Sequence, residues 1–260
     1  MPHTELVVME SWDDRLSRIP TQWSMVQRAH GGQQTEVGDA QRKLLERYGG
    51  AVRRYALAAL RNEEAADDVF QEFALRFVRG DFQTASPDKG RFRSFLKTTV
   101  YHLIVDHQRK KKRGAREAQM GDDAPEPVAP DEESLGDLFN ESWRDDLLAR
   151  TWVKLQAAEG ETGKPYYTVL RCRVEHPEAR SPELAELLSE RLSKPMKAGA
   201  ARVVLHRARE AFADLLLDEV AHSLDEADRD RVEQELIDLN LLEYCRPALE
   251  KKAGPPTDAT

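Results

Sequence analysis

The stretch that decides the fold is GRFRSFLKTTVYHLIVDHQRKKKR, residues 90–113. At about 100° per residue, one face of a helix collects its apolar side chains, as in helices that pack on a core. These side chains are Phe92, Phe95, Leu96, Thr99, Val100 and Leu103. A second face carries Arg93, Lys97 and Tyr101 at i, i+4 and i+8, and Lys or Arg fill six of the eight positions from 109 to 116. The pattern predicts a helix with an apolar face, a cationic face and a basic end.

The cationic face suits single-stranded or melted nucleic acid. Its cations would follow phosphates, and the ring of Tyr101 would offer a base a stacking surface worth about 1–3 kcal/mol. The alternative is a solvated charged helix end, since Lys and Arg also stabilise helix C-termini. The ring within the cationic face favours nucleic acid.

Two further helices precede this one. A helix is predicted from about residue 38 to 60, across the Gly49-Gly50 pair, by its apolar periodicity. The next has both ends marked: Asn62 is placed to cap its first turn, and Gly80 stands at its far end. Val69, Phe70, Phe73 and Phe77 form its apolar face, and Asp67, Asp68, Gln71, Glu72 and Arg76 lie on its other sides.

Composition and charge indicate two small helical modules joined by an acidic linker. The chain has 260 residues, 40% of them apolar and 33% charged, with a net charge of −8. Residues 121–146 hold ten Asp or Glu against one Arg, and three prolines fall within 125–130, a composition typical of an extended linker. Such a linker, close to basic surfaces, is expected to mask them in the free protein.

The composition also bears on the cellular compartment of the protein and on whether it holds a cofactor. Cys172 and Cys245 lack the spacing of a zinc site or a disulfide framework. No window approaches eighteen uninterrupted apolar residues, so no membrane segment is expected. We expect a cytoplasmic protein without a metal or other cofactor.

Helical patterns resume after the linker, and no alternating strand pattern of useful length occurs, so the predicted fold class is all-α. Ser181, Pro182 and Glu183 mark a helix start. A further helix is predicted from near Met196, with Arg202, His206, Arg207 and Arg209 available for phosphates or base edges. Two helices joined by a turn fit a helix-turn-helix reader, although helical hairpins also occur as purely structural units.

The motifs AADDVFQEFALRFVRG and GRFRSFLKTTVYHLIVDHQRKKKR resemble region two of bacterial extracytoplasmic-function (ECF) sigma factors, of the sigma-70 superfamily. The resemblance covers roughly residues 41–113. It implies that the first of these helices docks on core RNA polymerase and that the second recognises and melts the promoter minus-ten element. The implied polymerase contacts are Asp67, Asp68, Gln71 and Glu72. The implied minus-ten contacts are Arg93, Lys97, Tyr101, His102, Arg109 and Lys110, with His102 where the family usually has Asn.

A second stretch, LAELLSERLSKPMKAGAARVVLHRAR, resembles region four of the same sigma factors. The resemblance implies a helix-turn-helix that reads the minus-thirty-five element. The implied contacts are Lys197, Arg202, His206, Arg207 and Arg209. Sixteen residues separate Leu188 from Leu205, more than the family usually has, so either the first helix is extended or the turn is longer.

The resemblance implies five segments: an N-terminal extension (1–37), region two (38–113), an acidic linker (114–146), region four (147–221) and a C-terminal extension (222–260). In the extension after 222, a helix that packs back onto the chain is favoured over one that binds a partner. The implied partners are core RNA polymerase and promoter DNA, and the sequence leaves open whether an anti-sigma factor is a third.

The sequence is compatible with three functions. The first is a promoter-specificity subunit that promotes transcription initiation. The second is a stand-alone helix-turn-helix regulator, which leaves the cationic face at Arg93 unused. The third is a nuclease or hydrolase with Asp67, Asp68 and Glu72 as metal ligands. No phosphate loop, nucleophile pair or HExxH motif supports catalysis, so we expect a protein that is not an enzyme.

Overall fold

The computed structural model describes residue 29 and residues 34–82, 91–119, 132–224 and 228–253. This part of the chain holds nine α-helices and no strand, which confirms the all-α prediction. The helices are α1 (Gln34–Leu60), α2 (Glu63–Arg79), α3 (Phe92–Gln119), α4 (Glu132–Thr162), α5 (Tyr166–Glu175), α6 (Ser181–Arg191), α7 (Ala198–Ala221), α8 (Arg229–Asp238) and α9 (Leu242–Ala253).

The chain forms two compact units. The N-terminal unit takes its described residues from 16–146 and 222–231, and the C-terminal unit takes most of its own from 147–221 and 232–260. Helix α4 therefore contributes 132–146 to the first and 147–162 to the second. Within the described residues, no helix combines the length and the apolar character that a bilayer crossing requires. Most of the predicted N-terminal extension lies outside the described residues.

Helix α2 has the predicted ends. The Asn62 side chain accepts a hydrogen bond of 2.8 Å from the Ala65 N–H, which satisfies one donor of the first turn. Gly80 ends the helix with φ of 86°, a left-handed conformation that glycine adopts without strain. Both end signals read from the sequence are therefore confirmed.

Helix α1 continues through Gly49 and Gly50, where side chains of other helices pack closely against its backbone. A Cβ on Gly49 would lie 3.0 Å from Cε2 of Phe70 in α2. A Cβ on Gly50 would lie 2.7 Å from Oδ1 of Asp146 in α4. The glycine pair thus permits close packing on two sides of α1, which offsets its low helix propensity.

The expected extended linker over 114–146 is not what the structure shows at 132–146. These residues are helical, and Leu135, Phe139 and Trp143 are buried in the N-terminal unit. The three side chains recur at i, i+4 and i+8, so they share one face, while Asp137, Glu141 and other acidic residues are exposed. At the other end of the segment, residues 114–119 continue α3, and 120–131 lie outside the described residues.

Aromatic rings fill the core of the N-terminal unit. Trp143 stacks on Tyr48, and Phe139 meets Tyr55 edge to face with ring centroids 5.2 Å apart. A second cluster joins the ends of α2 and α3. It consists of Phe73, Phe77, Phe82, Phe92 and Phe95. Helix α3 is thus held by apolar packing on more than one side.

The C-terminal unit is built on α7, against which α5, α6 and α9 pack. The Glu219 carboxylate is 1% exposed and forms ion pairs with Arg150 (2.9 Å) and Lys154. Cys172 and Cys245 are buried free thiols, and burial raises the pKa of both, that of Cys245 to about 12. The only described cysteines are therefore protonated core residues.

Helix α9 packs back onto the chain, as favoured for part of the C-terminal extension. The Tyr244 ring meets Phe212 of α7 edge to face, with centroids 6.0 Å apart. Lys252 donates a hydrogen bond of 2.9 Å to Asp218. Leu236, in the last turn of α8, and Leu239, just after the helix, are buried as well. Residues 232–253 of the extension therefore belong to the folded C-terminal unit.

Candidate nucleic-acid and protein interfaces

The four α2 candidates differ in their surroundings. Asp68 and Gln71 are exposed. Asp67 is half-buried and accepts a hydrogen bond of 2.6 Å from Arg53 Nε in an ion pair between α1 and α2. Glu72 accepts a hydrogen bond of 2.7 Å from Arg76, which holds the pKa of Glu72 below its usual range. Asp68, Gln71 and Glu72 present carboxylate and amide groups outward, whereas Asp67 already has a partner within the unit.

A shallow groove between α2 and α3 brings three of these residues together with the basic end of α3. Asp68, Gln71 and Glu72 line one side, and Asp106, His107 and Lys110 line the other. Leu75 lies in the same groove and is 50% exposed. Leu75, Asp106 and His107 were not among the residues predicted from the sequence to form this surface. The sequence feature that could have indicated this surface is the apolar Leu75 near Glu72 and Arg76, on the polar side of α2.

Arg93 and Lys97 do not lie on an open face of α3. Arg93 is 8% exposed, and its Nη1 donates a hydrogen bond to Oδ1 of Asn140 in α4. The Lys97 side chain lies beside Gly136, where a Cβ would come 2.5 Å from Nζ. The predicted cationic face is therefore covered at Arg93, and Lys97 is half-buried. The reason is that 132–146, expected to be linker, packs on this side of α3.

The remaining α3 candidates are accessible. His102, Arg109 and Lys110 are exposed, and Tyr101 is half-buried with its ring centroid 5.5 Å from that of His102. Lys111 and Arg113 extend the exposed cationic surface beyond Lys110. The accessible part of the predicted minus-ten surface therefore runs from Tyr101 and His102 to the basic end of α3.

In the C-terminal unit, α6 and α7 are joined by a long turn, residues 192–197. Helix α6 begins at Ser181, one residue earlier than the predicted cap implies, because Arg180 and not Ser181 holds the capping position. The Glu183 carboxylate accepts a hydrogen bond of 2.9 Å from the Arg180 N–H. The Ser189 hydroxyl ties the turn to α6, since it accepts a hydrogen bond of 2.8 Å from the Met196 N–H. Helix α6 ends at Arg191 and α7 begins at Ala198, so six residues form the turn between them.

The candidates on and before α7 share an exposed side. Ala201, Leu205 and Ala208 are buried and define the core side of α7. The exposed candidates are Lys197, Arg202, His206, Arg207 and Arg209. Val203, 50% exposed, lies nearly opposite the core side and was missed, although its place between Arg202 and His206 in the sequence was a signal.

Part of this surface borders a concavity between α7 and α9. His206 and Arg209 line its rim, together with Tyr244, Pro247 and Lys251 of α9. Helix α9 therefore adjoins the C-terminal half of the predicted reading surface and leaves Arg202 and Val203 outside the concavity.

Within the described residues, no group of three or more His, Cys, Asp or Glu side chains is placed to hold a metal ion. Asp67, one of the three ligands in the enzyme hypothesis, is paired with Arg53 instead.

Residues 44–114 match the family model of sigma-70 region 2. The match covers α2, most of α1 and the greater part of α3, about a quarter of the chain. The match supports assigning this segment to sigma-70 region 2, a region of the sigma factors that act with RNA polymerase. Comparisons with curated proteins and with solved structures gave no match.

The sigma-70 region 2 match contains all the candidates on α2 and α3. It ends before residues 132–146, which complete the aromatic core around Tyr48 and Tyr55. The folded N-terminal unit is thus larger than the matched segment. Sigma-70 region 2 belongs to transcription initiation factors, which are not enzymes.

Proposed function

We propose that this protein is an ECF-type sigma factor: a promoter-specificity subunit that binds core RNA polymerase, recognises minus-thirty-five and minus-ten elements and promotes initiation. The observation that carries the proposal is the sigma-70 region 2 match over α1, α2 and α3. Within that segment the exposed polar residues of α2 and the exposed basic end of α3 line one groove. The protein would act in the cytoplasm, with an anti-sigma factor as a further partner to be sought.

The α2 side of the groove is the proposed polymerase surface. Asp68 and Gln71 can change without loss of core packing because both are exposed. Leu75 adds an exposed apolar side chain surrounded by polar and charged ones, and protein interfaces commonly have an apolar centre with a polar rim. Glu72 is a weaker candidate for a direct contact, since Arg76 already holds its carboxylate.

The α3 surface is the proposed minus-ten reader. Arg109, Lys110 and their basic neighbours would contact phosphates, which position the duplex without reading it. Tyr101 and His102 offer rings to unstacked bases. Arg93 and Lys97 could take part only after a change in their present surroundings, because α4 lies against them.

Helices α6 and α7 are the proposed helix-turn-helix reader of the minus-thirty-five element. In such readers, the N-terminal residues of the second helix contact base edges in the major groove. Arg202 and Val203 lie in that part of α7 and are exposed. The long turn at 192–197 places Lys197 just before the helix, where a phosphate contact is favourable.

The test is reconstituted transcription with the core polymerase of the same organism. We expect a stable complex on gel filtration and transcripts that start at a defined set of promoters. A protein that forms no such complex and yields no promoter-dependent transcript is not a sigma factor. Specific duplex binding without any polymerase complex would instead identify a stand-alone helix-turn-helix regulator.

The docking surface can be tested with paired charge reversals. Asp68→Lys with Glu72→Lys should weaken polymerase binding by at least about tenfold, or about 1.4 kcal/mol. The matched control is Asp137→Lys with Glu141→Lys, two exposed positions of the same unit outside the matched segment. Circular dichroism checks that both pairs remain folded. Equal loss in the two pairs would mean a general effect of charge, and the α2 assignment would fail.

A further inference from the structure

The cationic side of α3 already has an occupant within the same chain. We infer that residues 132–146 of α4 form a built-in competitor, which covers Arg93 and Lys97 in the free protein and must leave this face before unpaired DNA can reach it. The inference rests on the proposed function, because it takes this side of α3 to be a nucleic-acid surface. It adds a regulatory element beyond the region 2 match.

The contacts of the segment resemble those that nucleic acid would make. Oδ1 of Asn140 accepts a hydrogen bond from the Arg93 guanidinium, in the place where a phosphate or base oxygen would accept one. Lys97 is confined beside Gly136, where the missing side chain leaves room for its ammonium group. Asp146, at the end of the segment, forms an ion pair with Arg54 of α1. A helix that carries neutral and acidic acceptors thus lies on a predicted DNA-binding surface.

The negative charge of residues 132–146 supports the same inference. The outward face of the segment exposes Asp137, Glu141 and Asp145, so a phosphate backbone that approaches the cations at Arg93 and Lys97 also meets negative charge. From the sequence alone, this acidity was predicted to act on the basic surfaces over a distance. The structure adds direct contact, since the acidic segment is itself seated on α3.

The segment is held by three buried apolar side chains, Leu135, Phe139 and Trp143. Because it belongs to the same chain, its effective concentration at the surface is high, and it needs no separate partner. When only a fraction of molecules has an open surface, the apparent dissociation constant rises by the inverse of that fraction. The free protein should therefore bind unpaired DNA more weakly than the uncovered α3 surface would.

Hydrogen exchange of the full-length wild-type protein is the first test, with a fluorescent oligothymidylate as the probe. If the segment competes, saturating oligonucleotide will raise amide exchange in 132–146 and lower it around Tyr101 and His102. Bound oligonucleotide with unchanged or increased protection of 132–146 would overturn the inference and leave the proposed function standing. The segment would then be a permanent part of the unit.

Substitutions in the segment provide the second test. Asn140→Ala removes the hydrogen bond to Arg93 without changing charge and should tighten oligonucleotide binding severalfold. Trp143→Ala should tighten it by about tenfold or more, as the open fraction grows. Leu138→Ala, half-exposed on the same helix, is the neutral control and should leave the affinity unchanged.

Failures of the two proposals can be told apart. Equal affinity of wild type, Asn140→Ala and Leu138→Ala for the oligonucleotide would reject the competitor alone. If none of the variants binds the oligonucleotide and none forms a complex with core polymerase, the nucleic-acid assignment of α3 fails, and the proposed function fails with it. Asn140→Ala retains every buried apolar side chain of the segment, so the comparison holds even where Trp143→Ala does not fold.

Discussion

The indole of Trp143 stacks on the ring of Tyr48, with centroids 5.2 Å apart and 7° between the planes. Both side chains are at most 2% exposed. Tyr48 lies inside the segment that matches sigma-70 region 2, and Trp143 lies well beyond its last residue. A residue outside the family segment therefore supplies one of the largest buried side chains of the unit.

Trp143→Ala should lower the free energy of unfolding of the N-terminal unit by about 3–5 kcal/mol, because it leaves a cavity the size of an indole against Tyr48. Urea denaturation followed by circular dichroism measures the change. Leu138→Ala, at a half-exposed position of the same helix, should cost clearly less than Trp143→Ala does. A loss for Trp143→Ala no larger than that for Leu138→Ala would show that 132–146 contributes little to the folded unit.

Two glycines of α1 allow a matched comparison. Gly38→Ala should stabilise the protein by about 0.5–1 kcal/mol, since a Cβ there meets nothing within 4 Å and alanine favours the helix. Gly49→Ala should stabilise it less, or destabilise it, because the new Cβ would lie 3.0 Å from the Phe70 ring. Thermal unfolding measures the change in stability that each variant causes relative to the wild type. Equal stabilisation would mean that α1 and α2 are not closely packed at Gly49.

Tyr101→Ala should separate melting from duplex binding. Loss of a stacking surface is worth about 1–3 kcal/mol per base, so the variant holoenzyme should form fewer open complexes. Permanganate reactivity of minus-ten thymines measures this, and duplex binding should not change. Thr98→Ala, exposed on the same helix, is the control. If Tyr101→Ala opens promoters as well as wild type does, the stacking role passes to His102.

Glu219→Gln should destabilise the C-terminal unit by about 1–3 kcal/mol, because a buried carboxylate that balances Arg150 and Lys154 becomes neutral. Both cations retain some access to water, which limits the cost. Glu161→Gln, an exposed position of α4, should have no measurable effect. Chemical denaturation measures the free energy of unfolding of both variants. Equal values would mean that the Glu219 ion pairs contribute nothing measurable to the stability of this unit.

Alkaline pH should weaken the C-terminal unit through Cys245. Burial raises the pKa of this thiol from 9.0 to about 12. Below pH 9 the thiol is protonated in both the folded and the unfolded chain, and stability does not depend on it. Above pH 9 only the unfolded chain ionises, so stability falls as pH rises toward 12, by at most about 1.4 kcal/mol per pH unit.

Urea denaturation between pH 8 and pH 11 tests this effect, with Cys245→Ala as the reference. The alanine variant is expected to start from lower stability at pH 8 but to lose less as the pH rises. Parallel pH profiles for the two proteins would show that the thiol ionises equally well in the folded state.

Local signals in the sequence predicted local features well. Asn62 and Gly80 define the ends of α2 because capping depends on residues within one helical turn. Periodicity predicted six inward side chains on α7: four are buried and two are half-buried. The buried ones are Leu205, Ala208, Phe212 and Leu216, and the half-buried ones are Val204 and Leu215. The all-α fold rests on such signals and needed no tertiary information.

The errors arose where a distant segment decides the outcome. The acidic residues and prolines of 114–146 predicted a linker, although Leu135, Phe139 and Trp143 carry a helical apolar face. Once that helix was missed, the burial of Arg93 could not be foreseen, because its partner Asn140 lies on it. The long turn of the C-terminal unit depends on a left-handed Ser193, φ 50°, a conformation that the sequence does not signal at serine.

Because its two thiols are buried, opening of the C-terminal unit can be followed by chemical labelling of its own cysteines. Cys172 lies in α5 and Cys245 in α9, and neither presents a thiolate to solvent while its helix is in place. A brief pulse of an alkylating reagent therefore labels each site only when the local structure opens, and mass spectrometry distinguishes the two peptides. Labelling of Cys245 ahead of Cys172 would mean that α9 detaches while the rest of the unit stays closed, and simultaneous labelling would mean that α9 opens only with it.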